Sequence, residues 1–448
     1  MKIVITYGTY DLLHQGHINL LRRAKDLGDY LIVGVTSDSF DRGRGKLNVR
    51  NNVLERVEAV KATGYADKII IEDYVGQKID DIQKYNVDIF AIGSDWESKF
   101  DYLNEYTQVV YLPRTEGISS TMLRAETTLA VRVGIIGCGR VANRFPSEAD
   151  VVNGLKVVAA FDTNIDAAYH LADGKEDVDV CSSANDLYDK VDAVYIATPH
   201  LSHYQYIKEA LNFGKHVLCE TPMVLNGAQA KELFELAEQN GVILMEANKT
   251  AHCPAFNHLM VMIKSGIIGE VVDVEASISK LLDDKDMREF DALQAGGSLY
   301  ELGSYPLLPI VKLMGCNYEN LNLYSRIENG IDMYTKGVFC YPHAVCSFKV
   351  GLGVKTEGNL VISGTKGYAY VPAPWWKTDY FEFRYEDQNN NQKYFYKWDG
   401  TGLRYEIQEF ISCILNKRFS TSRLRRRESV WMADVMEKFA KKMNLFEL

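Results

Sequence analysis

The sequence contains no long apolar run and no CxxC pair. None of its hydrophobic stretches is long enough to cross a membrane, and the opening MKIVITYGTYD has only a short apolar run, interrupted by Asp11, where a signal peptide has a long one. The eight cysteines are scattered after residue 130, so their spacing indicates neither a zinc knuckle nor a disulfide framework. We therefore expect a cytoplasmic protein with reduced thiols and no membrane partner.

Basic residues are also fewer than acidic ones. The chain has 50 Lys and Arg residues against 60 Asp and Glu, a net charge of -10, which argues against a nucleic-acid partner bound through a broad basic face. Any anionic ligand must be bound locally. At 448 residues, with 47% hydrophobic and 25% charged residues, the chain is typical of a globular protein with about two or three domains.

The first 126 residues alternate short apolar runs with amphipathic stretches. The runs at 2–7 and 30–36 are apolar enough to be buried on both faces, and a helical pattern at 16–27 lies between them. This alternation predicts an α/β fold with a parallel sheet and crossover helices. Because ligands of such sheets gather at the carboxyl ends of the strands, we expect one binding mouth at that edge.

The stretch His14-Gln15-Gly16-His17 lies at the start of this helix. Two imidazoles three residues apart point the same way there, and Gly16 leaves the space between them open. The unpaired N–H groups and partial positive charge of a helix N-terminus suit a phosphate. The pair by itself also suits polar surface residues or half of a metal site. Its interpretation therefore depends on the rest of the domain.

Three motifs in this domain occur together in one known family. The run GTYDLLHQGHINLLRRAKDLGDYLIVGVTSD, followed by GSDWESKFDYL and RTEGISST, resembles the glycerol-3-phosphate cytidylyltransferase type of HxGH nucleotidyltransferases. The resemblance covers almost the whole of that domain. It implies an HxGH nucleotidyltransferase domain at residues 1–126 that binds CTP and Mg²⁺.

The resemblance also implies roles for individual residues. His14 and His17 contact the CTP phosphates and stabilise the charge that builds during attack on the α-phosphorus, Lys46 and Arg114 neutralise further phosphate charge, and Asp11 is the expected Mg²⁺ ligand. The residues assigned to CTP are Gly8, Thr9, Tyr10, Asp11, His14, His17, Lys46, Arg56, Asp95, Trp96, Arg114, Thr115, Gly117, Ile118, Ser119, Ser120 and Thr121.

The domain departs from the family pattern near the acceptor. The family usually has Phe at Tyr10 and His at Ser94, and the second change alters the pocket floor next to Asp95. Specificity for glycerol phosphate is therefore not implied. Ordinary structural roles also compete for four of the residues assigned to CTP. Asp11 suits a cap of the turn into the helix, and Thr9 suits a turn residue. Trp96 suits a core, and Arg56 suits a solvated helix face.

A second nucleotide-binding pattern starts at residue 131. The apolar run 131–136 is followed by Gly137-Cys138-Gly139-Arg140-Val141-Ala142, a G-x-G-x-x-A turn into a helix. The next strand, at 156–161, ends in Asp162, the acidic position that holds an adenosine ribose 2′-hydroxyl. The complete unit predicts a Rossmann dinucleotide-binding domain at 127–250, and Asp162 favours NAD(H) over NADP(H).

The order of motifs after residue 131 resembles the Gfo/Idh/MocA oxidoreductases. The supporting segments are GIIGCGRVA, ATPHLSHYQYIKEAL, HVLCETP and AGGSLYELGSYPL. The residues that the motif and the resemblance together assign to NAD(P) are Gly137, Cys138, Gly139, Arg140, Val141, Ala142, Asp162, Ala197, Thr198, Pro199, His203, Glu220, Thr221 and Pro222.

One departure from this family concerns its chemistry. The usual catalytic Lys of a Glu-Lys-Pro motif is Thr221 here, and Thr cannot carry a positive charge against a substrate oxygen. Our hypothesis is that Lys249 supplies that charge and that Tyr305 donates the proton. The alternatives are that Lys249 is a surface charge and that Tyr305 packs in the core.

Longer alternating strands follow from residue 251 onwards. They predict a mixed open sheet with helices on one side at 251–448, and we expect the final helix to pack back on the Rossmann domain. The resemblance implies that the exposed sheet face mediates a homo-oligomer, a dimer or a tetramer. Trp375-Trp376 suits a packing cluster. The basic run 423–427 suits a helix cap, a solvated face or a local phosphate site.

The two halves together suggest one product. A cytidylyltransferase fused to a reductase is expected to act on one small sugar phosphate, with CTP, to make a CDP-activated sugar alcohol for capsule or cell-surface polysaccharide. Examples are fructose 6-phosphate leading to CDP-glucitol and ribulose 5-phosphate leading to CDP-ribitol. Two alternatives stay open: the second half is a non-redox binding and oligomerisation module, or it is an oxidoreductase of an unrelated nucleotide sugar.

Overall fold

The computed structural model describes residues 1–43, 49, 51–74, 76–113, 130–282, 284, 287–396 and 398–448. The predicted CTP-site residues Lys46, Arg114, Thr115, Gly117, Ile118, Ser119, Ser120 and Thr121 lie outside these ranges. The chain divides into two compact units, Met1–Ala130 and Val131–Leu448. Within the described ranges, no helix is both long and apolar enough to span a bilayer.

The first unit is built on a parallel sheet with the order β3-β2-β1-β4-β5. Its strands are β1 (Ile3–Gly8), β2 (Tyr30–Thr36), β3 (Lys68–Glu72), β4 (Ile89–Gly93) and β5 (Gln108–Leu112). Its described helices are α1 (Gln15–Lys25), α2 (Asp38–Gly43), α3 (Val53–Ala62) and α4 (Gln77–Tyr85), with 3₁₀ turns at Ser94–Trp96 and Asp101–Glu105. The strands are apolar on both faces because each face is buried in its own core. The predicted parallel sheet with crossover helices is confirmed.

A buried arginine ties the loops of this unit together. The guanidinium of Arg56, on α3, is fully buried and lies 2.5 Å from Asp38 Oδ1 and 3.0 Å from Asp41 Oδ2. It also donates to the backbone carbonyls of Thr9 at 2.8 Å and Thr36 at 2.9 Å. The prediction that Arg56 contacts CTP, and the alternative of a solvated charge, are both wrong. Its donors are already used by protein groups that hold the ends of β1 and β2.

The second unit begins with another parallel sheet, of order β11-β10-β9-β6-β7-β8. Its strands are β6 (Val131–Ile136), β7 (Leu155–Phe161), β8 (Asp179–Val180), β9 (Ala193–Ile196), β10 (His216–Glu220) and β11 (Leu244–Ala247). The helices around it are α5 (Phe145–Ala149), α6 (Ile165–Ala172), α7 (Ala184–Lys190), α8 (His200–Asn212) and α9 (Gly227–Gln239), and Ala142–Arg144 is a 3₁₀ turn. The predicted Rossmann fold is confirmed.

A mixed nine-stranded sheet follows, with the order β19-β18-β17-β16-β12-β15-β14-β13-β20. Its strands are β12 (Val271–Ser279), β13 (Asn320–Glu328), β14 (Ile331–Tyr341), β15 (Ala344–Gly351), β16 (Leu360–Gly364), β17 (Tyr368–Val371), β18 (Tyr380–Arg384), β19 (Gln392–Phe395) and β20 (Leu445–Glu447). The helices of this region are α10 (Lys249–His252), α11 (Pro254–Lys264), α12 (Ser298–Leu302), α13 (Ser304–Met314), α14 (Leu403–Leu415) and α15 (Arg426–Ala440), and 3₁₀ turns lie at Arg288–Phe290, Ala292–Gln294, Trp375–Lys377 and Gln388–Asn390. One core fills the space between a sheet face and the helices α11 and α13.

The last two helices return to the Rossmann sheet. The α15 residue Arg426, from the basic run, lies 3.0 Å from Glu238 on α9. The α14 residue Arg404 lies 2.7 Å from Glu148 on α5. These ion pairs fix α14 and α15 against the Rossmann domain, so α14 residues can take part in a site at the edge of its sheet.

We predict that Arg56→Met destabilises the first unit by about 3–5 kcal/mol, because it leaves the buried Asp41 carboxylate without its charge partner. The free energy of unfolding is measured in urea, with amide hydrogen exchange in β1 and β2 as the probe of this unit. Lys61→Met on the same helix is the control: this side chain is 71% exposed, so the expected change is within about 0.5 kcal/mol. Equal stability of the two variants would contradict the structural role of Arg56.

Candidate active sites

Two stacked histidines lie at the first turn of α1. His14 is the N-cap of the helix, and its Nδ1 accepts a hydrogen bond from Gly16 N at 3.1 Å. The His17 ring stacks on it, with ring centroids 3.9 Å apart and planes inclined by 20°. Because Nδ1 of His14 is an acceptor, the neutral ring carries its hydrogen on Nε2. The pair therefore presents imidazole donors at a helix N-terminus, as an anion site requires.

Two side chains predicted to bind CTP face the protein interior. Thr9 Oγ1 donates to Asp41 Oδ1 at 2.9 Å. Tyr10 is 1% exposed, and its ring lies edge-on to His17 with centroids 5.5 Å apart. Burial raises the pKa of the Tyr10 phenol, which stays neutral. We therefore correct the prediction for these residues: their side chains support the loop and His17, and only their backbone can face a nucleotide.

Asp11 lies beside the histidine pair in sequence and is almost fully buried. Its Oδ1 accepts a hydrogen bond from Asn51 N at 3.0 Å. A single carboxylate suits a Mg²⁺ ion whose other ligands are phosphate oxygens and water. In the part of the chain that the structure describes, no group of three or more His, Cys, Asp or Glu side chains could hold a metal by itself. Asp11 thus fits a metal that arrives with its nucleotide.

The end of β4 carries the remaining described residues of this site. β4 pairs with β1, so Gly8 and Gly93 end neighbouring parallel strands at one sheet edge. Asp95 and Trp96 follow in a 3₁₀ turn, and Trp96 is 41% exposed with Lys99 Nζ 5.2 Å from its ring. The core alternative for Trp96 is therefore wrong, and its exposed ring is able to stack on a base.

The second unit has a glycine turn that leaves room for a dinucleotide. Gly137 has φ 87°, and a Cβ there would lie 2.7 Å from Thr198 Cγ2 and 2.8 Å from the Ala197 carbonyl oxygen. A Cβ on Gly139 would meet no heavy atom within 4 Å. Gly137 is thus required by close packing. Gly139 leaves the open space that a pyrophosphate needs beside the backbone, so the turn fits the cofactor.

Asp162 braces this glycine turn. Its Oδ2 accepts from Cys138 N at 2.7 Å, and its Oδ1 accepts from Asn164 N at 2.8 Å. Cys138 and Ala142 are buried, and burial raises the pKa of the Cys138 thiol to about 12. We therefore correct the prediction for Cys138 and Ala142, whose side chains pack in the protein. Asp162 keeps lone pairs on both oxygens for a ribose hydroxyl.

His203 joins two loops at the sheet edge. Its Nδ1 lies 3.0 Å from the Pro222 carbonyl oxygen, and its Nε2 lies 2.7 Å from that of Thr198. Both ring nitrogens thus contact backbone, and the ring is fully buried. His203 holds the loops after β9 and β10 in place with both ring nitrogens, and its predicted contact with the cofactor stays a prediction.

A cavity of about 760 Å³ opens where the Rossmann sheet meets the nine-stranded sheet. Its predicted lining residues are Gly139, Arg140, Val141, Ala197, Thr198, Pro199, His203, Glu220, Thr221, Lys249 and Tyr305. Its further lining residues are His200, Ile278, Ser279, Lys280, Leu282, Met287, Arg288, Glu289, Glu301, Leu302, Leu352 and Trp376. The predicted cofactor residues that do not line this cavity are Gly137, Cys138, Ala142, Asp162 and Pro222.

Thr221 is engaged with the protein at this cavity. Its Oγ1 donates to Glu246 Oε1 at 2.8 Å, and the same carboxylate oxygen accepts from Met223 N at 3.2 Å. Burial raises the pKa of Glu246. Because the Thr221 proton is committed to this buried carboxyl group, Thr221 cannot replace the charged residue that the family usually has there.

Lys249 and Tyr305 line the same cavity from different helices. Lys249 begins α10 directly after β11, and Tyr305 lies near the start of α13. Within the described ranges, neither Lys249 Nζ nor Tyr305 Oη forms a hydrogen bond or an ion pair. Burial, together with the carboxyl groups of Glu220 and Glu406, raises the pKa of Tyr305, so its phenol stays protonated. The cavity thus holds a cationic side chain and a phenolic donor.

Charged side chains lie at the rim of this cavity. Arg288 Nη2 lies 2.7 Å from Glu301 Oε1, and Arg140 Nη2 lies 3.3 Å from Glu289 Oε1. The other terminal nitrogen of Arg288, Nη1, is buried without a hydrogen-bond partner among the described residues. Lys280 is exposed at the same rim. The rim is therefore able to bind an anionic group.

Sequence reasoning missed several lining residues. Arg288 begins a short 3₁₀ turn with no sequence motif, and only its position at the cavity makes it notable. His200 follows a predicted cofactor residue directly, and burial lowers its pKa to about 3. The two adjacent tryptophans have different environments. Trp375 is buried, and its Nε1 donates to the Ser277 carbonyl at 2.8 Å. Trp376 lines the cavity.

The two units are similar to two different families. Residues 5–126 match the family described as cytidylyltransferase-like, and residues 131–248 match the Gfo/Idh/MocA oxidoreductase family with an NAD-binding Rossmann fold. Glycerol-3-phosphate cytidylyltransferase of Staphylococcus aureus is 49% identical over 126 residues, which are 28% of this chain and 95% of that protein. Trans-1,2-dihydrobenzene-1,2-diol dehydrogenase of Oryctolagus cuniculus is 30% identical over 260 residues, which are 56% of this chain and 78% of that protein. Both predicted resemblances are confirmed.

A solved structure shares the fold of the second unit. The 3-ketoreductase of Actinomadura kijaniata, in complex with NADP and TDP-benzene, superposes with a TM-score of 0.64 at 22% identity. The match covers 71% of this chain and 99% of that chain. At this identity the likeness supports the fold of residues 131–448 and not a shared substrate.

We predict that Thr221→Val lowers the free energy of unfolding of the second unit by about 1–3 kcal/mol, because it leaves a buried carboxyl oxygen short of a donor. Its rate of NAD(P)H oxidation is expected to stay within about twofold of wild type, since this hydroxyl has no proton to give to a substrate. Chemical unfolding and cofactor absorbance measure the two effects.

The control for this variant is Thr378→Val, whose buried hydroxyl donates at 2.7 Å to the uncharged carbonyl of Trp375. Its expected loss is about 0.5–1.5 kcal/mol. A Thr221→Val protein of wild-type stability that has lost its NAD(P)H oxidation would show instead that the hydroxyl takes part in the chemistry.

Proposed function

We propose that this chain makes a CDP-activated sugar alcohol. It belongs to the cytidylyltransferase-like family over residues 5–126 and to the Gfo/Idh/MocA oxidoreductase family over residues 131–248. One site attaches CMP from CTP to a sugar phosphate and releases pyrophosphate. The other reduces a ketone of the same sugar. Ketose phosphates such as fructose 6-phosphate and ribulose 5-phosphate are the proposed starting compounds, and a cell-surface polymer is the proposed destination.

The stacked histidine pair carries the proposal for the first site. His14 and His17 present donors at the N-terminus of α1, where they stabilise the charge on the phosphate under attack. Asp11 is proposed to hold Mg²⁺ together with the CTP phosphates. Lys46 and Arg114 are proposed to add positive charge. Ser94, which stands where the family usually has His, supports an acceptor other than glycerol phosphate.

The convergence of Lys249 and Tyr305 on one cavity carries the proposal for the second site. When bound along Gly139 and Asp162, a nicotinamide cofactor supplies the hydride. Tyr305 donates its phenolic proton to the ketone oxygen, and the Lys249 ammonium stabilises negative charge that develops there. The Asp162 carboxylate favours NAD(H), because a 2′-phosphate at that position would be repelled.

The charged rim supports an anionic substrate. Arg288 presents a buried nitrogen without a partner among the described residues, and Lys280 and Arg140 add positive charge at the same cavity. A volume of about 760 Å³ lies within the range of ligand sites. These features suit a sugar that carries a phosphate or a CDP group. We also propose that the chain acts as a homo-oligomer, a dimer or a tetramer.

The experiment is a panel of ketose phosphates incubated with NADH or NADPH, with and without CTP and Mg²⁺. Cofactor absorbance and pyrophosphate release are followed together. We expect oxidation of the cofactor with at least one ketose phosphate and pyrophosphate release with CTP. Oxidation that requires CTP would identify the CDP-linked sugar as the compound reduced.

Variants separate the two sites in this panel. His17→Ala is expected to abolish pyrophosphate release, whereas Gln15→Ala on the same turn is expected to leave it unchanged. Pyrophosphate release without cofactor oxidation under any condition would favour a binding module. Oxidation only with nucleotide sugars unrelated to CTP would favour the other alternative.

We predict that Lys249→Met lowers the kcat for ketone reduction by about 100-fold, because the charge opposite the developing oxyanion is lost. The KM for the cofactor is expected to change little. Lys231→Met on α9 is the control, since this side chain is 68% exposed. Full activity of Lys249→Met with an unchanged pH profile would rule out this role.

A further inference from the structure

We propose that Glu406, on α14, is the proton store of the reductase site and reprotonates Tyr305 through water after each reduction. This inference rests on the proposed reductase function. Glu406 does not line the large cavity and does not touch the substrate; it acts through Tyr305 and Lys249.

The environment of Glu406 is unusual for a carboxyl group. Its side chain is 1% exposed, and neither carboxyl oxygen has a hydrogen-bond partner among the described residues. An ionised carboxylate buried in this way is strongly destabilising unless it is paired or hydrated. Glu406 must therefore be protonated, in contact with water, or both.

A small cavity beside Glu406 provides room for that water. It has a volume of about 80 Å³, enough for about two water molecules at ~30 Å³ each. Thr401 lies on its wall, and Thr401 Oγ1 is also buried without a partner in the described part of the chain. Water molecules there would satisfy polar atoms that the protein itself leaves without partners.

The small cavity leads to the reductase site. Glu220, Lys249 and Tyr305 line both the small cavity and the large one. These side chains form the wall between the two spaces. A water chain in the small cavity therefore ends at the side chains that face the substrate.

The balance of charge indicates where the proton resides. Glu220 and Glu406 both interact electrostatically with Lys249, so two buried carboxyl groups share one ammonium. Glu220 accepts a hydrogen bond from Tyr195 Oη, which stabilises its ionised form, and Glu406 has no such donor. One proton is needed for neutrality, and Glu406 is the group that retains it.

The remaining charged groups around Glu406 do not alter this assignment. The titratable and charged groups that face it from all packed elements are Glu148, Arg144, Tyr195, Glu220, Lys249 and Tyr305. Glu148 is neutralised by Arg404 at 2.7 Å. Arg144 lines the small cavity but is exposed, so solvent screens its charge. Burial, with Glu220, raises the pKa of Glu406 well above its usual range, and Lys249 opposes the rise.

The proton balance of the reaction requires such a store. Reduction joins a hydride from NAD(P)H to the ketone carbon and a proton from Tyr305 to its oxygen, which leaves a phenolate and oxidised cofactor. The O–H bond of Glu406 then breaks, and its proton passes through water to the phenolate. The resulting Glu406 carboxylate is stabilised by Lys249 until solvent reprotonates it after product release. A carboxylic acid ordinarily has a much lower pKa than a phenol, so this transfer is favoured, and burial raises the pKa of Tyr305 above its usual value.

The first arm of the test is infrared spectroscopy of the full chain at neutral pH. Carbonyl stretches of protonated carboxyl groups are expected in wild type, and the difference spectrum between wild type and Glu406→Gln is expected to show the loss of one of these components. Glu409→Gln is the matched control, because it removes another buried carboxyl group from the same helix. An identical carboxyl band in wild type and Glu406→Gln would overturn the proposal. This arm needs no substrate, so it stays informative if the reductase function fails.

The second arm measures ketone reduction across pH in H₂O and D₂O. We expect Glu406→Gln to lower kcat by about tenfold or more and to increase the solvent isotope effect, while the KM for the cofactor is unchanged. In wild type, kcat falls as the pH rises through the pKa of Glu406, and the variant loses this inflection. Glu409→Gln keeps the wild-type profile.

Two results of the second arm would overturn the proposal. One is a Glu406→Gln protein with the wild-type kcat and pH profile. The other is a loss of kcat that is equal at every pH and accompanied by weaker cofactor binding, which would indicate a structural role. Absence of cofactor oxidation in wild type with every ketose phosphate would instead refute the reductase function, whatever the infrared result.

Discussion

Two buried carboxyl groups share one ammonium beside the large cavity of the second unit, and the proposed ketone reduction depends on this arrangement. Glu220 and Glu406 lie close enough to Lys249 to interact with its charge. Removal of the ammonium would leave two acids in a space of low dielectric, where both would be neutral. Its presence permits one ionised and one protonated group beside Tyr305. A proton donor and a stabilised anion therefore coexist at the point where a ketone would be reduced.

The loss of the family's usual lysine fits this arrangement. At Thr221 the hydroxyl donates to Glu246, a third buried carboxyl group, so this position now supports the fold. Lys249 lines the cavity from the helix that follows the next strand. Its ammonium interacts with Glu220 and Glu406. In the proposed site, Lys249 therefore supplies the positive charge that the family usually has at position 221.

The first unit depends on a different principle. Arg56 uses its fixed fork of donors to hold Asp38, Asp41 and the ends of two parallel strands. This buried ion cluster holds the backbone at Thr9, in the segment that leads to the His14 N-cap of α1. Preorganised donors are effective because they do not have to be rearranged when charge develops on a phosphate.

The sequence by itself determined the elements and the families. Apolar runs buried on both faces predict parallel strands, and the glycine turn and the HQGH stretch locate two nucleotide sites, because backbone approach and helix N-termini impose local residue requirements. Only the tertiary structure decided which polar side chains face a ligand. The sequence patterns predict that Arg56 and Thr9 face a ligand, but both side chains are committed to protein groups. Arg288 and Glu406 belong to no motif, and Glu406 is notable only because the fold brings it to Glu220 and Lys249, more than a hundred residues away in the sequence. Burial and pairing arise from such long-range contacts, which no local pattern encodes.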